Sequence, residues 1–182
     1  MSGRTTNLKL LLLDANVIIK AHKLGIWQLL IERAEIVVPS IIARDEALYY
    51  SLEEGQIPTS INVPLLIDAG KIKEFSASLE ELDELQSKFD REFVEHIHPG
   101  EREALALLFA GRLPDYYFCS GDAKAIQTAA MLRLGEQIVS LEKTLKSLGL
   151  EKKLEFWFSE DFCKKQLDIG HQNLIQGRGI AK

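Results

Sequence analysis

Leu10-Leu11-Leu12-Leu13-Asp14-Ala15-Asn16-Val17-Ile18-Ile19 is the stretch from which the rest of the chain can be read. Four leucines in a row make a short, nearly continuous apolar run, the pattern of a strand buried on both faces of a parallel sheet. An acid follows directly. An ionised carboxylate at the end of a buried strand is costly to desolvate unless it is paired or binds a metal. In open α/β sheets, moreover, ligands bind at the carboxyl ends of the strands. Asp14 therefore has two readings: a site residue, or the N-cap of a helix starting near Ala15, a position that Asp favours.

Outward from this stretch, helix and strand signals alternate. Ala15 to about Ala34 reads as helical with Gly25 as a break, and Glu35 to Val38 as a short β-branched strand. Pro39-Ser40 then opens a helix carrying Ile42, Glu46, Ala47 and Tyr50. After a loop around Gly55 to Thr59, Val63 to Ala69 reads as a short helix and Ile72 to Phe75 as a strand. Between Leu79 and His96, apolar residues at Leu79, Leu82, Leu85, Phe89 and Phe93 keep helical spacing beneath an acidic face, which predicts one amphipathic helix. His98-Pro99-Gly100 ends it, and Glu101 to Ala110 starts a more apolar helix. Tyr116 to Cys119 is the next strand, followed by Ser120-Gly121-Asp122 and a helix to about Leu134. Gln137 to Ser140 and Glu142 to Leu148 supply one more strand and helix. Beyond Glu151 the pattern weakens. Phe156-Trp157-Phe158 and a helix near Asp161 to Leu167 are expected to pack on the domain, and Gly177 to Lys182 to be mobile.

Alternation of this kind predicts an α/β fold with a mainly parallel sheet flanked by helices. The chain of 182 residues is long enough for one well-buried core and short for two. It reads as a single domain over residues 1–182, with a motif-bearing core of about residues 8–150 and a C-terminal extension over 151–182. A net charge of −5 offers no global basic field to attract nucleic acid, which argues against a protein that coats DNA or RNA. It is compatible with an enzyme whose own site is acidic. The two cysteines, Cys119 and Cys163, match no metal-ligand spacing and read as reduced thiols. No secretory signal or membrane-spanning stretch is evident, so a soluble cytoplasmic protein is expected.

Three further acids share the placement of Asp14. Glu46 follows the second strand, Glu103 lies early in the helix Glu101-Arg102-Glu103-Ala104-Leu105-Ala106, and Asp122 directly follows a strand. In a parallel sheet these positions converge on one edge. Four carboxylates there would repel and raise one another's pKa without a cation. Clusters of this type hold hard divalent ions such as Mg²⁺ or Mn²⁺ through oxygen ligands. Asp45 beside Glu46, and Glu101 beside Glu103, are competing choices. Glu101 also suits a carboxylate stabilising the first turn of its helix.

At these residues the chain resembles the PIN domain nucleases. Leu11-Leu12-Leu13-Asp14-Ala15-Asn16 looks like that family's opening motif. The stretch from Val38-Pro39-Ser40 to Asp45-Glu46 looks like the second, Gly100-Glu101-Arg102-Glu103-Ala104-Leu105 like the third, and Ser120-Gly121-Asp122 like the fourth. All four occur in order and cover roughly residues 8–140. The spacing from Pro39 favours Glu46, and the position before Ala104 favours Glu103. The resemblance implies a PIN-like three-layer α/β/α fold and a Mg²⁺- or Mn²⁺-dependent endoribonuclease. Asp14, Glu46, Glu103 and Asp122 would be its catalytic metal ligands, directly or through water. Asn16 and Ser120 would orient ligands and water from behind. Products would carry 5′-phosphate and 3′-hydroxyl ends. The implied partners are an RNA substrate, single-stranded or structured, an antitoxin protein if the chain is a toxin of a toxin–antitoxin pair, and a second copy in a homodimer.

Two other readings compete. A haloacid dehalogenase phosphatase also opens with an apolar strand ending in Asp. It needs a second Asp where Asn16 stands and another where Ile126 stands, and it leaves Glu46 and Glu103 unexplained. A non-catalytic PIN-like binding or scaffold module would keep the fold without the chemistry. Ser51 to His96 is longer than a compact toxin-type PIN domain needs, and its acidic helix reads most simply as a solvated face. Lys20, Lys23, Lys124 and Lys143 could contact phosphates near the site. His22, His96, His98 and His171 form no ligand spacing and are assigned no role.

Overall fold

Successive leucines of the opening strand are shared between two cores. In the computed structural model, which describes residues 8–182, Leu11 and Leu13 pack with Ile36, Val38, Cys119 and Val139 on one face of the sheet. Leu12 packs with Val37, Phe118 and Ile138 on the other. Side chains alternate across a strand, so an all-apolar run is what a strand with two covered faces requires.

The chain forms β1 (Leu10–Leu13), α1 (Ala15–Lys23), α2 (Trp27–Arg33), β2 (Glu35–Pro39) and then one π-type turn at Ile42–Glu46. There follow β3 (Tyr49–Tyr50), β4 (Thr59–Ser60), α3 (Val63–Asp68), β5 (Lys73–Phe75), α4 (Leu79–Gln86), α5 (Arg91–Glu95) and α6 (Pro99–Phe109). The last third holds β6 (Tyr117–Cys119), α7 (Ala123–Met131), a 3-10 turn at Gly135–Gln137, β7 (Ile138–Val139), α8 (Leu141–Ser147), a second 3-10 turn at Phe156–Phe158 and α9 (Glu160–Gln176). The central sheet runs β5-β2-β1-β6-β7 and every pairing in it is parallel. Helices α1, α2 and α8 cover one face, and α4 to α7 with α9 cover the other. The expected three-layer α/β/α architecture is what the chain forms. From β1 the chain moves outward through β2 to β5, then returns to the other side of β1 as β6 and β7. The strand order thus reverses beside β1, which opens a crevice at the carboxyl ends of β1 and β6.

Four local expectations are corrected. The helix expected after Ser40 is a single widened turn, closed by Ala47 N–H donating to Ile42 O at 2.9 Å. Tyr50, expected on that helix, pairs instead in the β3–β4 hairpin. The amphipathic helix expected from Leu79 to His96 is two helices. Asp90 caps the second by accepting from Phe93 N–H at 2.7 Å. Leu85, Phe89 and Phe93 nevertheless face one core, so the apolar spacing passes over the break unchanged. The last helix runs to Gln176, well beyond Leu167. Finally, the tail expected to be mobile is tied down: Asp90 N–H donates to Gly179 O and Ala181 N–H to Lys88 O, both at 3.0 Å. Gly179 permits this with φ +73°, its backbone lying against the Phe93 ring where a Cβ would overlap.

Helices α7 and α9 meet closely because Gly170 has no side chain: a Cβ there would come within 2.7 Å of the Ala130 Cβ and would overlap the Gln127 carbonyl. Gln127 Nε2 donates to Gln166 Oε1 at 2.6 Å across the same contact. Gly170→Ala is therefore expected to destabilise the fold by about 1–3 kcal/mol, the usual cost of overpacking, despite the better helix propensity of Ala. Urea denaturation of the two proteins measures it, and equal midpoints would show that the helices separate without cost.

Candidate metal centre

Asp14 is the first residue past β1, and its backbone N–H continues the sheet by donating to Cys119 O at 3.2 Å. Its side chain is 2% exposed. Oδ1 accepts from Ala15 N–H at 2.6 Å and Oδ2 accepts from the Ser120 hydroxyl at 2.6 Å. Asp14 thus caps α1 and at the same time lines the crevice. Asp122 mirrors it after β6. It caps α7, Oδ1 accepting from the Lys124 and Ala125 amides at 2.7 and 2.9 Å. Ser120 joins the two acids, since its Oγ also accepts from Asp122 N–H at 3.0 Å. Asn16 Oδ1 accepts from Gly121 N–H at 3.3 Å, which fixes the loop between them.

Glu46 arrives from the π-type turn. Its Oε1 accepts from Gly100 N–H at 2.9 Å. A Cβ at residue 100 would overlap the Glu46 carboxylate and Ile42, so the carboxylate sits where only glycine leaves room. Asp45, the competing choice, is exposed.

The fourth acid is Glu101. Glu103, expected in the cluster, does not line this cleft: Oε2 accepts from Ile41 N–H at 2.8 Å and Oε1 from Ala77 N–H at 3.2 Å. It bridges the segments that leave β2 and β5, and its position before Ala104 serves the fold. Two residues apart on a helix means about 200° of rotation, so Glu101 and Glu103 cannot face the same space. Glu101 is 2% exposed, accepts from His98 N–H at 3.2 Å, and has Oε1 3.5 Å from His98 Nδ1. His98, Glu101 and Asp122 offer ligand atoms that all lie within 4.8 Å of one another. Together with Asp14, Asn16 and Glu46 they line a cleft of about 440 Å³.

Burial raises the Glu101 carboxyl to about 9, and the charges of Asp14, Asp122 and Glu46 push in the same direction. Asp14 is raised to about 6, chiefly by burial. The Ser120 and Ala15 hydrogen bonds oppose that rise, and Asp122 and Glu46 add to it. Among the described residues, no lysine or arginine forms an ion pair with any of the four acids. Lys20 is paired to Glu155 at 2.7 Å, and the Lys124 ammonium lies 3.7 Å from the centre of the Phe93 ring. Four carboxylates and one imidazole without a counter-ion form a donor set suited to hard divalent cations. By its spacing in the sequence His98 is assigned no role, and Glu101 stands only as the alternative to Glu103. The one usable signal was the sequence His98-Pro99-Gly100-Glu101, a helix start that puts an acid in the first turn. No protein-family model, no curated protein and no solved structure matches this chain. Among the described residues, no helix is long and apolar enough to cross a membrane.

The raised carboxyls set the direction of the pH dependence. In the folded chain, Glu101 and Asp14 keep protons at pH values where the unfolded chain has released them. Stability of the metal-free protein therefore falls as pH rises from the ordinary carboxylate range towards about 9. Thermal midpoints measured in chelator from about pH 5 to about pH 8 should fall for the wild type. They should fall less for Glu101→Gln, leaving it the more stable protein at the upper end. A wild-type midpoint that climbs across the interval would refute a repulsive cluster. Gly100→Ala should displace Glu46 and weaken Mn²⁺ binding by about tenfold or more, read by titration calorimetry.

Proposed function

We propose that this cleft binds Mg²⁺ or Mn²⁺ and hydrolyses phosphodiester bonds, with RNA as the substrate. The observation that carries the reading is the convergence of Asp14, Glu46, Glu101 and Asp122 on the crevice where strand order reverses, without a lysine or arginine partner among the described residues. Burying such a set costs stability, and a protein retains it where the cation it holds does chemistry or binding. The order of the four motifs resembling PIN domain nucleases supports RNA in particular.

When bound, the metal supplies positive charge to the phosphate and lowers the pKa of the attacking water. The chain supplies the rest. Asp14 and Asp122 are held as caps of α1 and α7, so their carboxylates are oriented before any ligand arrives. The Ser120 hydroxyl locks the two together, and Gly100 N–H aims Glu46. His98 is the exposed group at the mouth, its side chain 73% accessible beside Glu101; it can pass a proton between the cleft and bulk water. In the reaction a water oxygen bonds to phosphorus and the bond from phosphorus to the 3′ oxygen breaks. The water gives up a proton and the departing 3′ oxygen gains one, which leaves 5′-phosphate and 3′-hydroxyl ends.

Cleavage of end-labelled single-stranded RNA in Mn²⁺ tests this. The wild type should cut and leave 5′-phosphates. Asp122→Asn and Glu101→Gln should each lose about 100-fold or more in rate, whereas Glu103→Gln, if folded, should keep cutting. Loss in Glu103→Gln with activity in Glu101→Gln would overturn the assignment of the fourth acid. Mn²⁺ binding by calorimetry with no cutting of any RNA would leave a PIN-like binding module in place of an enzyme.

A further inference from the structure

Phe156 and Trp157 are large aromatic side chains left 59% and 51% exposed. They are not on a loose loop. The next residue, Phe158, is 4% exposed and lies in the core beneath α1 and α8. Its ring is so close to Gly121 that a Cβ at that glycine would come within 2.7 Å of it, and the Trp157 carbonyl would lie 3.3 Å away. Gly121 is the residue before Asp122. The turn Phe156–Phe158 is thus seated against the loop that carries two of the site's polar residues, Ser120 and Asp122. It is fixed at both ends: Glu155 is paired to Lys20, and the Ser159 hydroxyl donates to Phe156 O at 2.7 Å while capping α9. Two consecutive aromatic rings stand half in water on a turn whose backbone and next residue pack against the Gly121 loop.

The approach to these rings is basic. Lys152 and Lys153 are exposed just before them in the sequence, and Leu154 packs the strip to the core. The hydrogen bond from Lys20, with Lys23 nearby, holds the Glu155 carboxyl below its ordinary range. With Lys20 and Glu155 neutralising each other, Lys23, Lys152 and Lys153 stand against Glu151 on the approach, while Glu142, Glu160 and Asp161 flank the far side of the turn. In a chain that carries −5 as a whole, the excess of lysines is confined to the side by which the strip leads into the rings. Exposed planar rings combined with lysines suit a chain of alternating phosphates and unpaired bases, which stack on aromatic faces while the ammonium groups follow the backbone. A duplex, whose bases are stacked on one another, offers no face to these rings.

We infer that Phe156 and Trp157 form a stacking platform for unpaired bases of single-stranded nucleic acid, placed beside Asp122 so that the strand continues into the acidic cleft. The inference rests on the reading of that cleft as a nuclease site, and the experiment separates the two. The full chain is titrated in chelator with oligo(U) RNA, with the matching DNA oligonucleotide, and with a paired RNA duplex of the same length. Trp emission and fluorescence anisotropy are followed together. Of the two tryptophans, Trp27 is only 8% exposed, so quenching reports on Trp157.

The single strands should quench Trp emission and bind more tightly than the duplex; the relative affinities for RNA and DNA identify which is preferred. By anisotropy, Trp157→Ala should bind roughly tenfold more weakly, Trp157→Phe should recover most of the loss, and Phe156→Ala should bind more weakly with Trp157 still present. Absence of quenching, or Trp157→Ala binding single strands as the wild type does, would overturn the platform. Cleavage has no part in this readout. Quenching by a protein that never cuts would retain the platform and sink the nuclease. A protein that cuts while Trp157→Ala binds unchanged would sink the platform alone.

Discussion

Like charges kept out of water set the terms for the rest of this structure. Asp14 and Glu101 are buried within reach of Asp122 and Glu46, and burial with mutual repulsion raises both. Such a cluster scatters unless each member is held. The holding groups are mostly backbone amides: Ala15 for Asp14, Lys124 and Ala125 for Asp122, Gly100 for Glu46 and His98 for Glu101. Amides at helix starts are unsatisfied donors in any case, so the fold supplies orientation from groups it has to satisfy anyway. Two small residues do what an amide cannot. Ser120 links Asp14 to Asp122 through one hydroxyl, and Gly100 leaves the space that the Glu46 carboxylate fills.

The π-type turn at Ile42–Glu46 belongs to the same scheme. Its hydrogen bond spans one residue more than an α-helical one, from Ala47 N–H to Ile42 O, and its last residue is Glu46. Turns of this kind recur at functional sites because they re-aim a side chain that an ordinary turn would place elsewhere. Here Asp45 is turned out to water and Glu46 towards the cleft.

The layered fold was legible from the chain because both of its signals are local. The Leu10–Leu13 run and the alternation of strand and helix need no knowledge of distant partners. The placement of Asp14 and Asp122 was also legible, since strand ends and caps announce themselves in sequence, whereas Glu46, Asn16 and Ser120 were singled out by the resemblance to the PIN motifs. The choice between Glu101 and Glu103 was not. Both are acids on the first turns of one helix, and which faces the cleft depends on how α6 rolls against β2 and α4. His98 was missed for a related reason: Asp14, Asn16 and Glu46, which share the cleft with it, lie far from it along the chain, and Glu101 beside it looked like an ordinary helix-start acid. The break at Ser87 to Asp90 was hidden by an apolar spacing that both halves of the segment keep. The anchoring of the tail was hidden because backbone hydrogen bonds leave no mark on side-chain pattern.

The hydroxyl that joins Asp14 to Asp122 also closes a loop of 106 residues. Closing so long a loop carries an entropic cost that local contacts do not. On the ribosome, then, Asp14 emerges long before its partners, and the cluster has no assembled form until β6 has been synthesised and has paired with β1. A nascent or truncated chain lacking β6 carries Asp14, Glu46 and Glu101 without the Ser120 and Asp122 that complete the cleft.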